Sequence, residues 1–250
     1  MAGHSKFANI KHRKARVDAK RSATFSKHAK LIMTAAKIGG RVDNPRLNLA
    51  MDKARADNMP KDKIERAILK GTGELAGENL SEVRYEGYGP GGVAIIVDAI
   101  TDNRNRTAPE MRKMFEKGGG NMGESGSVAW MFDSRASVTL NREGVDEDEL
   151  TEALLEVGGD DLVTEDEQFQ VLGEPSELHN ILTGLTERGY SAESAEIIMV
   201  PKNLVEVDKE TAEKILNLME TFEAYDDVSS TYANFDIPDD VLKELASEQS

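Results

Sequence analysis

The chain has 250 residues, 39% hydrophobic and 31% charged, enough for two or three domains each with its own core. It contains no cysteine, which excludes a disulfide framework, a thiol nucleophile and any cysteine-ligated zinc or iron–sulfur site. The net charge of −15 hides a sharp division: residues 1–73 hold 18 Lys and Arg against 6 Asp and Glu, net +12, and the rest of the chain stands at −27. A split of this kind marks a domain boundary and, for the first part, a polyanionic partner.

The start, Met1 to Phe7, has no apolar core of the secretory type. It is basic and acid-poor, as a mitochondrial transit peptide would be, but the basic pattern continues into helices without a break, and cytoplasm is the expectation. No apolar run is longer than Val93 to Val97, which is too short to span a bilayer. Residues 1–21 carry Lys6, Lys11, Arg13, Lys14, Arg16, Lys20 and Arg21 against Asp18 alone, and like charges at this density predict a mobile arm.

From Ser22 a helical pattern begins. With Phe25 at zero on a wheel of about 100° per residue, Ala29, Ile32 and Ala36 fall within about 40° of it. Lys27, Lys30 and Lys37 fall at about 120–200°, so one face should pack and another should present cations. Gly39-Gly40 ends this helix. Asn44-Pro45 opens a second, with Leu47, Met51 and Ala54 inward, and Pro60 opens a third, with Ile64, Ala67 and Ile68 inward. Gly71 to Gly77 reads as a linker.

The pattern then changes. Val83–Tyr88 and Val93–Ile100 read as strands joined by a turn at Gly89-Pro90-Gly91-Gly92, followed by a helix at Thr107–Lys117 and a third strand at Ser127–Phe132. The next segments are a strand at Ser137–Leu140, a helix at Asp146–Val157, strands at Leu162–Thr164 and Phe169–Leu172, a helix at Pro175–Arg188 and a strand at Ala192–Val200. Their order, βαββαβ, is ferredoxin-like. The tail adds a helix at Lys209–Phe222, a strand at Val228–Ala233 and a short helix at Val241–Ala246. The fold class is therefore α+β: a basic helical domain (1–77), a second α/β domain (78–133 plus 205–250), and an acidic ferredoxin-like domain (134–204) inserted into the second.

Several motifs imitate chemistry. Gly87 to Gly92 spells a dinucleotide fingerprint, but the next segment is a strand rather than a helix, so a hairpin turn is the better reading. Gly118 to Ser125 resembles a phosphate loop with Glu124 where the lysine belongs, and a carboxylate there repels phosphate. That stretch is either a mobile, partner-contacting loop or a long connector. The histidines (His4, His12, His28, His179) show no metal spacing, and the three in the basic domain suit weak phosphate contact or solvation. Acid pairs such as Asp160-Asp161 sit at turns and helix starts, where Asp caps. Thr101 to Thr107 places Asn103, Arg104 and Arg106 between a strand and a helix in an acidic domain, which favours binding slightly over local ion pairing.

Long stretches resemble the YebC family of probable transcriptional regulatory proteins, which includes the mitochondrial translational activator of cytochrome c oxidase subunit I. They are Gly3-His4-Ser5-Lys6-Phe7-Ala8-Asn9-Ile10-Lys11-His12-Arg13-Lys14, Asn58-Met59-Pro60-Lys61, Tyr85 to Gly92, Thr101 to Thr107 and Gly119 to Phe132. Where Phe7 stands the family usually has Trp. The resemblance implies three domains with the third inserted in the second, and no catalysis. It also implies a nucleic-acid partner, either promoter DNA in a transcriptional regulator or ribosomal RNA in a ribosome-associated translation activator that relieves stalling.

The expected interface comprises Lys6, Lys11, Arg13, Lys14, Lys20, Arg21, Lys27 and Lys30, with Asn103, Arg104 and Arg106 as a second group. No cofactor, metal, membrane or small-molecule substrate is expected. The competing reading is a nucleotide-binding or nuclease-like enzyme built on the glycine loops with Asp98 and Asp102.

Overall fold

The computed structural model describes residues 20–42, 44–76, 79–165 and 167–247. They form two compact units: one runs from 133 to 200, and the other is assembled from the chain on either side of it. The basic arm expected over residues 1–21 lies, up to residue 19, outside the described residues.

The assembled unit opens with three helices, α1 (Lys20–Gly39), α2 (Pro45–Ala56) and α3 (Lys61–Gly71). Asn44, itself buried, joins the first two. Its Oδ1 accepts from the Leu47 N–H at 3.0 Å, and its Nδ2 donates to the carbonyls of Ala35 (2.9 Å) and Gly40 (2.8 Å). One amide thus caps the start of α2 and satisfies carbonyls at the end of α1, groups that a helix cannot pair by itself. Ile32, Leu47, Ala54, Ile64 and Ile68 form the core here, and Leu80 and Ile100 from the following sheet complete it.

The two-faced pattern expected of α1 is only part of its structure. Ile32, Met33, Thr34, Ala35 and Ala36 are five consecutive buried residues, so the middle of the helix has no solvent face. Helices α2 and α3 cover one side of it, and a strand from the far end of the chain lies against it as well. For this reason the described residues of 1–77, expected as a domain of their own, fall in the same compact unit as the sheet that follows.

That sheet has the order β3-β1-β2-β9, with β1 (Ser81–Tyr88), β2 (Ala94–Thr101), β3 (Asn121–Met122) and β9 (Val228–Ala233). Strands β1 and β2 form an antiparallel hairpin with Tyr85 opposite Val97. The turn Pro90–Gly92 closes it, with Gly91 and Gly92 at φ +70° and +76°, where two consecutive residues with side chains would be strained. On the sheet lie α4 (Arg104–Lys117) and α7 (Lys209–Ala224), whose Phe115 and Phe222 rings meet at 4.7 Å over Ile95 and Val97. The tail adds the two-residue parallel pair β8 (Val205–Glu206) and β10 (Phe235–Asp236), then α8 (Asp239–Ser247).

The third strand expected at Ser127–Phe132 is not formed. That segment turns through a 3₁₀ helix at Ala129–Met131, and the sheet's third place is taken by the short β3. The N–H groups of Gly126, Val128 and Ala129 are bound by the Glu86 carboxylate, so a strand ladder cannot use them.

The 133–200 unit contains most of β4 (Phe132–Asn141), then α5 (Glu147–Glu156), β5 (Gly159–Thr164), β6 (Gln168–Gly173), α6 (Leu178–Glu187) and β7 (Ala192–Pro201). Its sheet order, β5-β6-β4-β7, is ferredoxin-like. Asp146 caps α5 by accepting from the N–H groups of Asp148 and Glu149, both at 3.0 Å. Val138, Leu140, Leu150, Phe169, Val171, Ile181 and Leu185 are buried within it.

A Cβ added at Gly120 would stand 2.1 Å from the Tyr88 carbonyl oxygen, a backbone atom that cannot swing aside. Gly120→Ala is therefore expected to push β3 off β1 and to destabilise the protein by about 1–3 kcal/mol, the range for overpacked sites. Urea unfolding measures this, and an unchanged midpoint would show that the β3 edge is not a fixed part of the sheet.

Candidate nucleic-acid interface

Lys27 and Lys30 of α1 are half-buried instead of facing water as the helical wheel implies. Lys27 Nζ donates to the Glu223 carbonyl, and Lys30 Nζ donates to the Asp226 carbonyl at 3.1 Å and to Asp227 Oδ1 at 2.5 Å. These carbonyls lie in and just after the last turn of α7, where unpaired C=O groups and the negative end of the helix dipole favour a cation. Lys37 reaches Asn79 Oδ1 at 2.8 Å and the Leu80 carbonyl at 3.1 Å. The expectation that α1 presents Lys27 and Lys30 to a polymer is therefore corrected: they fasten the helical module to the sheet. The wheel located their face correctly, but that face is covered by chain arriving some 196 residues later.

Asp227 is the centre of that attachment. Its side chain is 4% exposed, against 16% for Lys30. Lys30 serves Oδ1, while Thr107 Oγ1 donates to Oδ2 at 2.8 Å and Arg106 Nη2 donates to it at 3.1 Å. The Asp227 carbonyl accepts from the Ile100 N–H at 2.7 Å. Burial pushes the carboxyl upward, but the Lys30, Thr107 and Arg106 hydrogen bonds outweigh it and hold the group at about 2.

The second expected group is also engaged internally. Asn103 is the N-cap of α4, its Oδ1 accepting from the Arg106 N–H at 3.1 Å. Arg104 ties α4 to β1 through Ser81 Oγ (3.1 Å) and the Glu82 carbonyl (3.4 Å). Arg106 is shared between Asp227 and Asp102, the latter at 2.8 Å, and both raise its already high pKa. The slight preference for binding at Asn103, Arg104 and Arg106 gives way to capping and ion pairing. Asp98 is held by Arg84 through two bonds of 2.7 and 2.8 Å. Both carboxylates of the nuclease-like reading thus have an arginine on them, and among the described residues no three His, Asp or Glu side chains are grouped to hold a metal.

Glu86 was not singled out by the sequence, and it organises the glycine loop. It is buried, with Oε1 accepting from the Gly126 N–H (2.8 Å) and Oε2 from the Val128 (2.9 Å) and Ala129 (2.7 Å) N–H groups. Burial pushes its pKa up, and the three N–H bonds bring it below the ordinary carboxylate value. With the Gly123 N–H on the Glu86 carbonyl at 2.8 Å, the loop is neither a free arm nor a slack connector. It displays Trp130, 64% exposed, with its indole N–H on the Ser127 carbonyl at 3.1 Å.

Most of the cations without an acidic partner among the described residues of the helical module lie on α3, with the exposed Lys37 of α1, bound to Asn79 and the Leu80 carbonyl, beside them. Lys61, Lys63, Arg66 and Lys70 carry none, whereas Arg41 is bound to Glu65, Arg46 to Glu82 and Arg55 to Asp52. Lys63, Arg66 and Lys70, at i, i+3 and i+7, fall within about 60° of one another on the helix. Lys63 Nζ stands 5.2 Å from the centre of the Phe25 ring. The signal for this row was present in the sequence, in a proline-started helix with four cations, but the denser charge upstream overshadows it. Lys20 and Arg21 occupy the first turn of α1, their side chains outside the described part, and Lys6, Lys11, Arg13 and Lys14 lie outside the described residues. His28, expected in phosphate contact or in solvent, is buried with Nε2 2.5 Å from Asp57 Oδ2.

Residues 5–74 match the family model for the TACO1/YebC protein N-terminal domain, and residues 80–235 match that for the TACO1/YebC second and third domain. The chain belongs to the TACO1/YebC family. It is 52% identical over 249 residues to a probable transcriptional regulatory protein of Dictyoglomus turgidum, covering 98% of this chain and 100% of that one. A protein of the same name from Maridesulfovibrio salexigens is 53% identical over 246 residues, with 98% and 99% covered. The crystal structure of a conserved hypothetical protein from Aquifex aeolicus superposes with a TM-score of 0.84 at 44% identity, covering 90% of this chain and 94% of its own. The resemblance drawn from the first two domains is thus established for this TACO1/YebC chain over nearly its whole length, as is its α+β architecture.

The Asp227 attachment has a pH signature. Its folded pKa, about 2, lies below the ordinary 3.8, so its contribution is complete above pH 5 and fades as pH falls toward 2. That contribution is about 2 kcal/mol, and Asp227→Asn is expected to remove it at neutral pH and to flatten the acid limb of the stability profile. Denaturant unfolding between pH 2 and 7 measures both, and parallel profiles for parent and variant would rule out this role for Asp227.

Proposed function

We propose that this chain is a nucleic-acid-binding regulator of gene expression that acts by occupancy rather than catalysis. The observation that carries the reading is the row Lys63, Arg66 and Lys70, without acidic partners among the described residues, on a module of net +12 whose other described cations are largely paired within the protein. Free cations along one helix face release counterions from a phosphate backbone when they bind it, and this term supplies affinity without reading sequence. The basic residues upstream, Lys6, Lys11, Arg13, Lys14, Lys20 and Arg21, add charge of the same sign to the same module. The name shared by the relatives, probable transcriptional regulatory protein, supports transcription as the process, and the polymer proposed is DNA.

The occupancy reading is supported by the state of the acids. Asp98, Asp102 and Asp227 are spent on arginine and lysine partners, and Glu86 on backbone N–H groups, in arrangements that build structure. The acidic remainder of the chain, at −27, disfavours nonspecific adsorption elsewhere on the molecule.

Replacing Lys63, Arg66 and Lys70 together by Gln is expected to weaken duplex DNA binding and to make the salt slope of log K shallower by roughly 0.9 for each phosphate no longer neutralised. Lys27→Gln with Lys30→Gln is expected to lower thermal stability instead, leaving that slope nearly unchanged. Anisotropy titrations at several salt concentrations measure the slopes, and a triple variant with the parent's slope would eliminate α3 as the binding surface.

A further inference from the structure

Between α1 and α3 lies an open groove of about 310 Å³. Its floor is apolar: Phe25, Ala29 and Met33 follow one another at i, i+4 and i+8 along α1, with Met59 and Ala67 opposite. Its rim carries Lys63, Arg66 and Lys70, the three cations assigned above to the phosphate backbone. A row built only to hold a backbone from outside has no need of an apolar trough beside it.

We propose that this groove takes an unpaired nucleotide, its base laid on the apolar floor while the strand's phosphates meet the rim. The proposal deepens the nucleic-acid reading above and rests on it. In a duplex the bases are stacked and paired inside, so a duplex pressed against α3 would use the cations and leave the floor wet. A base in a single strand is free to swing out at little unstacking cost. Once out, it meets what single-strand proteins use: an aromatic ring, a cation close to that ring and a positively charged edge for the backbone. Phe25 is the half-buried ring, Lys63 stands over it, and Arg66 offers a planar guanidinium.

Two features narrow the ligand. The floor residues are hydrocarbon and thioether, and Ser26 is the one lining residue with a neutral hydroxyl, so the groove discriminates little between bases. The thioethers of Met33 and Met59 adapt to shape rather than dictate it. An acidic amphipathic helix of a protein partner would satisfy the same charges, but the groove's volume of about 310 Å³ suits one ring rather than a helix face.

The test uses the full-length protein and fluorescein-labelled 15-mers of one sequence as single-stranded DNA, single-stranded RNA and duplex DNA, read by anisotropy at fixed salt. Ala29→Leu fills the groove, and Phe25→Leu keeps its apolar volume while removing the ring; thermal melts establish that both fold. The parent is expected to bind a single strand several-fold tighter than the duplex. Each variant is expected to lose about tenfold for the single strand, the worth of roughly one stacked base, with duplex affinity held within about twofold. The DNA-to-RNA ratio of the parent then identifies the strand. Single-strand affinity untouched by both variants, with the cation triple variant still impaired, overturns the groove and leaves the phosphate reading standing. Equal losses for single strand and duplex overturn it too. No binding of any 15-mer by the parent overturns both. Ala29-sensitive binding of a labelled Glu- and Leu-rich helical peptide, without oligonucleotide binding, overturns it in favour of a protein partner.

Discussion

Asp227 is a carboxylate taken almost wholly out of water, and three parts of the chain remote in sequence meet on it. Lys30 arrives from α1, Arg106 and Thr107 from the first turn of α4, and the Ile100 N–H from β2 binds the Asp227 carbonyl. An unpaired carboxylate in that position would carry a desolvation penalty of several kcal/mol, so each donor is there of necessity. The attachment makes the helical module and the sheet one body. It also decides which lysines of the basic module are available to a partner, because those that close the interface cannot also lie open to solvent.

Glu86 repeats the device on β1, toward the other side of the same sheet. It too is buried, but its donors are backbone N–H groups of a glycine-rich loop, and it turns a segment that would otherwise wander into a defined platform. In both cases one acid, in a region full of them, performs a task that its neighbours on the surface do not. Charge-assisted hydrogen bonds in a low-dielectric setting are the reason: the same carboxylate left in water would contribute little to structure.

With Lys27 and Lys30 bound at the end of α7, most of the free charge of the described module lies on α3. Because the module is fastened to the sheet, that row has a fixed orientation relative to it, rather than hanging on a hinge. The groove beside the row follows from the same packing: Ala29 and Ala67 are small where α1 and α3 face each other, and small residues leave room. Affinity and selectivity thereby come from adjacent sets of atoms, cations for the backbone and hydrocarbon for a base.

The sequence by itself determined what depends on near neighbours and on sums. The helix starts at Asn44-Pro45 and Pro60, the hairpin at Gly89 to Gly92 and the elements of the βαββαβ order are local, and each matches the structure because capping, turn geometry and periodicity act within a few residues. Only the tertiary structure decided which face of α1 is covered, that Arg106 serves Asp227 rather than a ligand, that Ser127 to Phe132 turns instead of extending, and that α3 holds the open cations. Those outcomes depend on segments more than a hundred residues apart, or on a single carboxylate capturing N–H groups that a strand would have used. A pattern of residues specifies that a face must be covered; it does not say which part of the chain will cover it.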